Sequence, residues 1–389
     1  MNKTVLRIDS IAYGGEAVGR LPDGKVCFVP GGLPGEELEV EIIQEKKSFS
    51  RAKIVKIVKN SPERIEPECQ LFRDADCPGC AYMHCDYPSE LRFKQQQLAD
   101  FLNRDGILED GILLEPFASP RRNFYRNKLK LHSNGRSFAM VARDNETLIN
   151  IDRCHLAENL INNALPSTAV PPAGETVCWR CTKTDGVRCF TGKKCPRNAE
   201  WLSETLPGFG MFKVPLDGFF QTNIEVAAEL VRRAVELIAR SGATVLVELY
   251  CGVGIFSIAA AEKIPGLTSL GVELNPGAIK AARWNAHHHN VDKRCKFFAG
   301  DAGKELKKAG NIANSCLLVD PPRTGLTVQT LNNIVAADPA KIIYISCAAD
   351  TLRRDLVLFK RAGWQVETAG LLDMFPGTSH FETLVALQK

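Results

Sequence analysis

From Asp217 to the C-terminus, short apolar runs alternate with amphipathic stretches so regularly that few folds can hold them. TVLVELY, TSLGVEL, KFFAGD, CLLVD and KIIYISC are strand-length and apolar at their centres, as strands covered on both faces of a parallel sheet must be. Helix-period stretches separate them. The longest is predicted from Ile224 to Arg240, with Ile224, Ala228, Val231, Val235 and Ile238 on one face. Asn275 followed by Pro276 marks a helix start, because asparagine caps free N–H groups and proline suits the first turn. Two more strand-like runs close the chain. The pattern predicts a doubly wound, Rossmann-like α/β domain over 217–389.

A chain of 389 residues exceeds one hydrophobic core, so roughly two or three domains are expected. Over 1–61, VLRI, KVCFV, ELEVEII and RAKIVKIV alternate in period two between glycine turns, which predicts a small, OB-like, RNA-binding β-barrel. Residues 62–216 form a central α+β module. It opens on a cysteine-rich entry, continues with a helix near 90–103 able to pack on the C-terminal domain, and includes hairpin strands at YRNKLKLH and SFAMVARD. No apolar run is long enough to span a bilayer and no secretory signal opens the chain, so a cytoplasmic monomer with no membrane contact is expected.

In the α/β domain the segment ELYCGVGIF passes from strand to glycine turn to helix. Gly252 and Gly254 there let backbone approach a ligand closely. Glu273 ends the next strand, where a carboxylate can accept two ribose hydroxyls; Asp301 and Asp320 end the following two. Ligands of open α/β sheets bind outside such strand ends, and this set suits an adenosine-type cofactor. The dinucleotide fingerprint wants a third glycine where this chain has Ser257. Cys347 follows an apolar strand at the same edge, near a helix start and near Arg353 and Arg354, an environment that favours thiolate.

Fourteen cysteines in an unsecreted chain suggest ligands and a reactive thiol rather than disulfides. Cys69, Cys77 and Cys80 cluster, CPGC forms a chelating turn, and Cys154 lies far downstream; four thiols so spaced suit an iron-sulfur cluster or a zinc. Cys178, Cys181, Cys189 and Cys195 instead belong to a hairpin region turning at Asp185-Gly186. Residues three apart on a strand face opposite ways, so no shared metal is expected there. Between Arg121 and Arg136 stand six basic residues and no acidic one. Arg121, Arg122, Arg126 and Lys128, with Tyr125 for stacking, form the expected RNA contact. Phe219 and Phe220 are further stacking candidates, with core packing the equal alternative for either one.

GFFQTN, ELYCGVG, GVELN, DPPRTG, YISC and HFETL occur in the order found in the RNA 5-methyluridine methyltransferases. Over nearly its whole length the chain resembles these enzymes, most of all the bacterial 23S ribosomal RNA enzymes with an N-terminal TRAM domain. The resemblance implies that Gln221, Tyr250, Glu273 and Asp320 contact S-adenosylmethionine, with Asp301 near its adenine. It makes Cys347 the nucleophile and Glu382 the base, and it gives Cys69, Cys77, Cys80 and Cys154 a 4Fe-4S cluster. The implied substrate is 23S ribosomal RNA, with transfer RNA as the alternative. The chain departs from the family where Ala348-Ala349 replaces Asn-Pro after the nucleophile, and where Ile255 replaces an asparagine beside the cofactor. A DNA cytosine methyltransferase would carry a Pro-Cys nucleophile motif, and a radical enzyme C-x3-C-x2-C; neither occurs. A non-catalytic RNA-binding or ribosome-assembly factor is disfavoured by the presence of both Cys347 and Glu382.

Overall fold

The computed structural model describes residues 3–74, 77–108, 111–192, 201–308 and 312–389. Alternation of apolar and polar residues folds β1 (Lys3–Ile11), β2 (Glu16–Arg20), β3 (Val26–Pro30), β4 (Glu37–Glu45) and β5 (Phe49–Lys59) into a closed barrel, in the order β1-β2-β3-β5-β4. Leu6, Ile8, Ala17, Val29, Leu38, Val40 and Ala52 fill its interior.

The central segment holds α1 (Gln70–Arg73), α2 (Tyr87–Asn103) and α3 (Asn159–Ala164) around a sheet of β6 (Lys128–Ser133), β7 (Phe138–Val141), β8 (Leu148–Asn150), β9 (Thr176–Thr182) and β10 (Gly186–Thr191), ordered β10-β9-β6-β7-β8. A hairpin of β11 (Trp201–Leu206) and β12 (Gly210–Pro215) follows. Cys178 and Cys181 are both buried in β9, where six successive residues are covered on both faces, and Cys189 is exposed; Cys195 lies outside the described residues.

The C-terminal half contains α4 (Ile224–Arg240), β13 (Val245–Leu249), α5 (Ile255–Lys263), β14 (Thr268–Glu273), α6 (Pro276–His288), β15 (Cys295–Ala299) and α7 (Ala302–Lys308). It continues through β16 (Cys316–Val319), α8 (Val328–Ala337), β17 (Lys341–Ser346), α9 (Ala349–Arg361), β18 (Gln365–Leu372) and β19 (Glu382–Gln388). Its sheet runs β15-β14-β13-β16-β17-β19-β18, parallel except for β19, which is antiparallel to both neighbours. Strand order reverses between β13 and β16, and that is where such sheets leave a ligand crevice. The buried stripe of α4 is broader than its sequence face: Val226, Ala227, Leu230 and Ala234 are fully covered, while Ile224 and Ala228 pack at the margin. No helix among the described residues is long and apolar enough to cross a membrane.

Helix α2 contributes Leu98 and Leu102 to the apolar cluster of Val247, Val319 and Ile342, so the central segment packs on the catalytic sheet. Its polar side is buried as well. Lys94 has no exposure; its Nζ donates to Glu90 Oε1 (2.7 Å), Asp373 Oδ1 (2.8 Å) and the Phe375 carbonyl (3.2 Å). Burial alone would depress the Lys94 pKa, but Asp373 and Glu90 more than offset it and keep the ammonium charged. Removing a single partner strands the other charges. Lys94→Met is therefore expected to cost about 3–5 kcal/mol, read as a lower urea midpoint; an unchanged midpoint would exclude a structural role for this triad.

Candidate active site

Three adjacent strand ends carry the polar groups. Asp320 follows β16, Cys347 follows β17, and Glu382 opens β19. Ser346 of β17 pairs with Thr383 of β19, and because the two strands are antiparallel the next residues outward are Cys347 and Glu382. Two residues far apart in sequence thus come together by sheet register.

The site is dry. Burial, then the nearby Glu382 and Asp320, pushes the Cys347 thiol up to about 12, with Arg323 pulling the other way. Glu382 is raised well above the usual carboxyl range by burial and by Asp320, and Asp320 is raised to about 7 by burial and by Glu273. The expectation of a thiolate favoured by Arg353 and Arg354 is corrected here. Arg353 is paired with Asp105, and Arg354 with Asp355 and the carbonyls of Thr324 and Leu326. Arg323 of the DPPRTG segment is a cation whose charge is felt at both Cys347 and Glu382, and it donates to His380 Nε2 at 3.2 Å. Burial, followed by Arg323, lowers the His380 pKa to about 4, which leaves the ring neutral and able to accept. Reading DPPRTG for its carboxylate alone passed over this arginine.

A small cleft lies beside Asp320, walled by Phe219, Phe220, Gln221, Tyr250, Gly252 and Val253. Tyr250 and Gly252 both have positive φ, 64° and 54°, and Gly254 starts α5 at 84°. For a tyrosine that geometry is strained, and it marks a sharp bend of the chain at the cleft wall. Glu273 accepts from Gly252 N (3.3 Å) and Asn275 N (2.8 Å), which fixes its carboxylate at the rim. Asp301 ends the β15 loop, accepts from Lys304 N, and is an electrostatic neighbour of the Tyr250 phenol. Phe219 is 67% exposed at the mouth, whereas Phe220 is buried beneath it. Sequence left those two open; the fold separates them.

Glu248 was missed. It is buried at the cleft floor, accepts from Ser257 N (2.9 Å) and from Ser257 Oγ, and is raised to about 8 by burial. The available signal was a carboxylate inside the apolar run TVLVELY, with a serine where a dinucleotide loop has glycine.

The proposed RNA strand is largely tied to the protein itself, and this corrects its assignment. Tyr125 is fully buried, its hydroxyl donating to the Pro376 carbonyl (3.0 Å). Arg121 bridges Glu158 and Glu225, Arg122 holds the carbonyls of Tyr82 and Cys85, and Lys128 reaches the Gly218 carbonyl. A basic stretch with buried acceptors around it is drawn inward, since unpaired buried carbonyls cost more than an exposed guanidinium gains. Arg126 differs: among the described residues its side chain makes none of the ion pairs or carbonyl contacts that hold Arg121, Arg122 and Lys128, and its charge is felt at Cys80 and His380.

The thiols of Cys69, Cys77, Cys80 and Cys154 are electrostatic neighbours; burial and this mutual repulsion raise Cys80 well above its ordinary value. Among the described residues no three ligating side chains are close enough to clasp a single ion. Four cysteine thiols are a donor set of the kind that ligates an iron-sulfur cluster or a zinc. Asn162 pins the Cys154 loop by accepting from Cys154 N and donating to the Cys154 and Ala157 carbonyls, and Arg143 donates to the Cys80 carbonyl.

The sequence model of the tRNA (uracil-5-)-methyltransferase family matches residues 190–389, and that of the TRAM domain residues 4–55. A 23S rRNA (uracil(1939)-C(5))-methyltransferase RlmD from Legionella pneumophila (strain Paris) is 30% identical over 98% of this chain and 96% of its own length. An uncharacterized RNA methyltransferase from Thermotoga maritima is 29% identical over 99% and 98%. Among solved structures, the Pyrococcus abyssi tRNA (uracil-54, C5)-methyltransferase in complex with S-adenosyl-L-homocysteine superposes with a TM-score of 0.75. It covers 98% of this chain and all of that one at 24% identity, a likeness of fold.

The corrected basic strand can be tested directly. Arg121→Ala should lower stability by about 1 kcal/mol, its ion pairs being partly exposed, and leave RNA affinity within twofold. Arg126→Ala should weaken RNA binding and reduce the salt dependence of the affinity by about one unit of slope. Thermal unfolding and filter binding across a salt series separate the two, and the reverse pattern would restore Arg121 as the RNA contact.

Proposed function

The chain belongs to the RNA (uracil-5-)-methyltransferase family, and from this we infer that it methylates C5 of a specific uridine in 23S ribosomal RNA by way of Cys347 and Glu382. The juxtaposition of Cys347 and Glu382, one position beyond the Ser346–Thr383 pair of β17 and β19 and close enough for Glu382 to raise the thiol, is the observation that carries the reading. The 23S assignment is supported by the Legionella pneumophila relative, a 23S rRNA (uracil(1939)-C(5))-methyltransferase aligned over nearly the full length of both chains.

C5 of uracil is a weak nucleophile. Addition of the Cys347 sulfur at C6 moves the C5–C6 π pair toward C5 and O4, which makes C5 enolate-like. S-adenosylmethionine, when bound, supplies a methyl group on a sulfonium and leaves as the neutral thioether once C5 has taken the methyl. Gln221, Tyr250, Glu273, Asp301 and Asp320, with the backbone of Gly252 and Gly254, are the groups that would hold it. Glu382 then accepts the C5 proton, the C6–S bond breaks, and the C5–C6 double bond returns. Arg323 faces both reacting groups and stabilises negative charge on either. Phe219, exposed at the cleft mouth, is available to stack on a base drawn out of its helix. Cys69, Cys77, Cys80 and Cys154 would hold a 4Fe-4S cluster whose task is to fix the loops around them.

Cys347→Ala is expected to abolish 5-methyluridine formation from labelled S-adenosylmethionine, while Glu382→Gln accumulates a covalent RNA adduct on a denaturing gel. Product at the native rate in Cys347→Ala would reject the mechanism. Since the thiol and Glu382 both titrate above their ordinary ranges, raising pH populates the reactive form of each. Alkylation of Cys347 in the free protein should be slow at neutral pH and rise about tenfold per pH unit toward the thiol pKa, and a plateau near neutrality would contradict this. Mapping 5-methyluridine in ribosomal and transfer RNA of a deletion strain assigns the substrate. For the cluster, anaerobically purified protein should carry about four irons per chain and a broad visible absorption that Cys80→Ser removes; one zinc and no colour would replace the cluster with an ion.

A further inference from the structure

Helix α9 begins directly after the nucleophile, and its start lacks the usual support. Ala348 is its N-cap, with no side chain able to accept from the first turn. The Asn-Pro of the related enzymes would supply both parts of a well-made helix start, a capping side chain and a first-turn proline with no N–H to satisfy. Ala348-Ala349 supplies neither and adds an N–H.

The missing acceptor comes from the barrel. The β1–β2 turn, Ala12 to Glu16, carries Tyr13, whose phenol oxygen accepts from Ala349 N at 3.2 Å. The ring of Tyr13 packs edge-on against Phe101 of α2 (5.0 Å between centroids) and against Phe381 (6.1 Å), the residue before Glu382. A second contact brings the same turn onto the catalytic body. A Cβ added at Gly15 would stand 2.6 Å from Ala81 Cβ, beside Cys80, and φ there is +89°, so the close approach requires glycine. One turn of the barrel therefore touches the nucleophile loop, the strand of the base and the cysteine loop.

We propose that Tyr13 is a positioning residue for the methyl transfer: it caps α9 through Ala349 N–H and thereby holds the Cys347 loop, which makes the barrel part of the active-site scaffold as well as an RNA-binding module. This rests on the assignment of Cys347 as nucleophile. Ser346 Oγ and Thr351 Oγ1, the loop's other tethers, both bind Ala348 O, and neither offers an acceptor to Ala349 N–H.

The test uses the full-length protein, S-adenosylmethionine and transcribed 23S ribosomal RNA, with adduct formation followed in a Glu382→Gln background and kcat and KM followed without that substitution. Tyr13→Phe keeps both ring contacts and loses the acceptor; adduct rate and kcat should each fall about three- to tenfold, with the RNA KM unchanged within twofold. Installing Ala348→Asn with Ala349→Pro gives α9 its own cap and removes the N–H. The extended backbone of Ala348 (φ −142°, ψ 100°) already suits a residue before proline. In that background Tyr13→Phe should have no further effect. Equal losses in both backgrounds, no loss in either, or a change confined to KM would each overturn the proposal, the last making Tyr13 an RNA contact. Absence of any adduct with Tyr13 intact would instead refute the nucleophile assignment.

Discussion

The ammonium group of Lys94 is held, fully buried, between Glu90 of its own helix and Asp373 and Phe375 of the segment that leads from β18 to Glu382. That segment, 373–378, is where separate parts of the chain meet. Tyr87 Oη donates to Asp373, Tyr125 Oη to the Pro376 carbonyl, and the N–H groups of Ala81 and Tyr82 to the Gly377 carbonyl. Glu90 accepts from Gly377 N as well. A buried ion pair is a poor source of net stability, but breaking it is costly, so it fixes one geometry against alternatives. The geometry it fixes is the approach of Glu382 to Cys347.

Local charge composition was a poor guide to exposure in this neighbourhood. The RRNFYRNK stretch reads as a nucleic-acid strand, yet most of its side chains secure carbonyls and carboxylates behind the site. Arginine suits that task because its planar fork satisfies several acceptors at once. The cationic group facing the reaction comes from Arg323, in a motif whose carboxylate draws more notice.

Low dielectric unites the properties of the reacting centre. Cys347, Glu382, Asp320 and Glu248 are all shifted toward their protonated forms, by burial first and with neighbouring carboxylates, Glu273 among them, adding to it. Such a site resists adventitious thiol chemistry at rest. A cationic ligand entering near Asp320 meets acidic groups whose ionisation it favours, and in a medium of this kind each charge acts over a longer range than in water.

The sequence by itself determined the elements and the strand-end chemistry. The parallel strands, the Ile224–Arg240 helix, the glycine loop and the DPPRTG strand end all follow from periodicity and turn residues, because those forces act over a few residues. The Asp185-Gly186 hairpin is legible for the same reason. Only the tertiary structure decided which residues share a site. The antiparallel return of β19 beside β17 sets Glu382 against Cys347, Phe219 is turned outward and Phe220 inward, and Tyr13 of the barrel reaches the helix start after Cys347. The physical reason is that register and burial are settled by which surfaces meet, and a residue's neighbours in sequence do not specify its neighbours across a sheet or between modules.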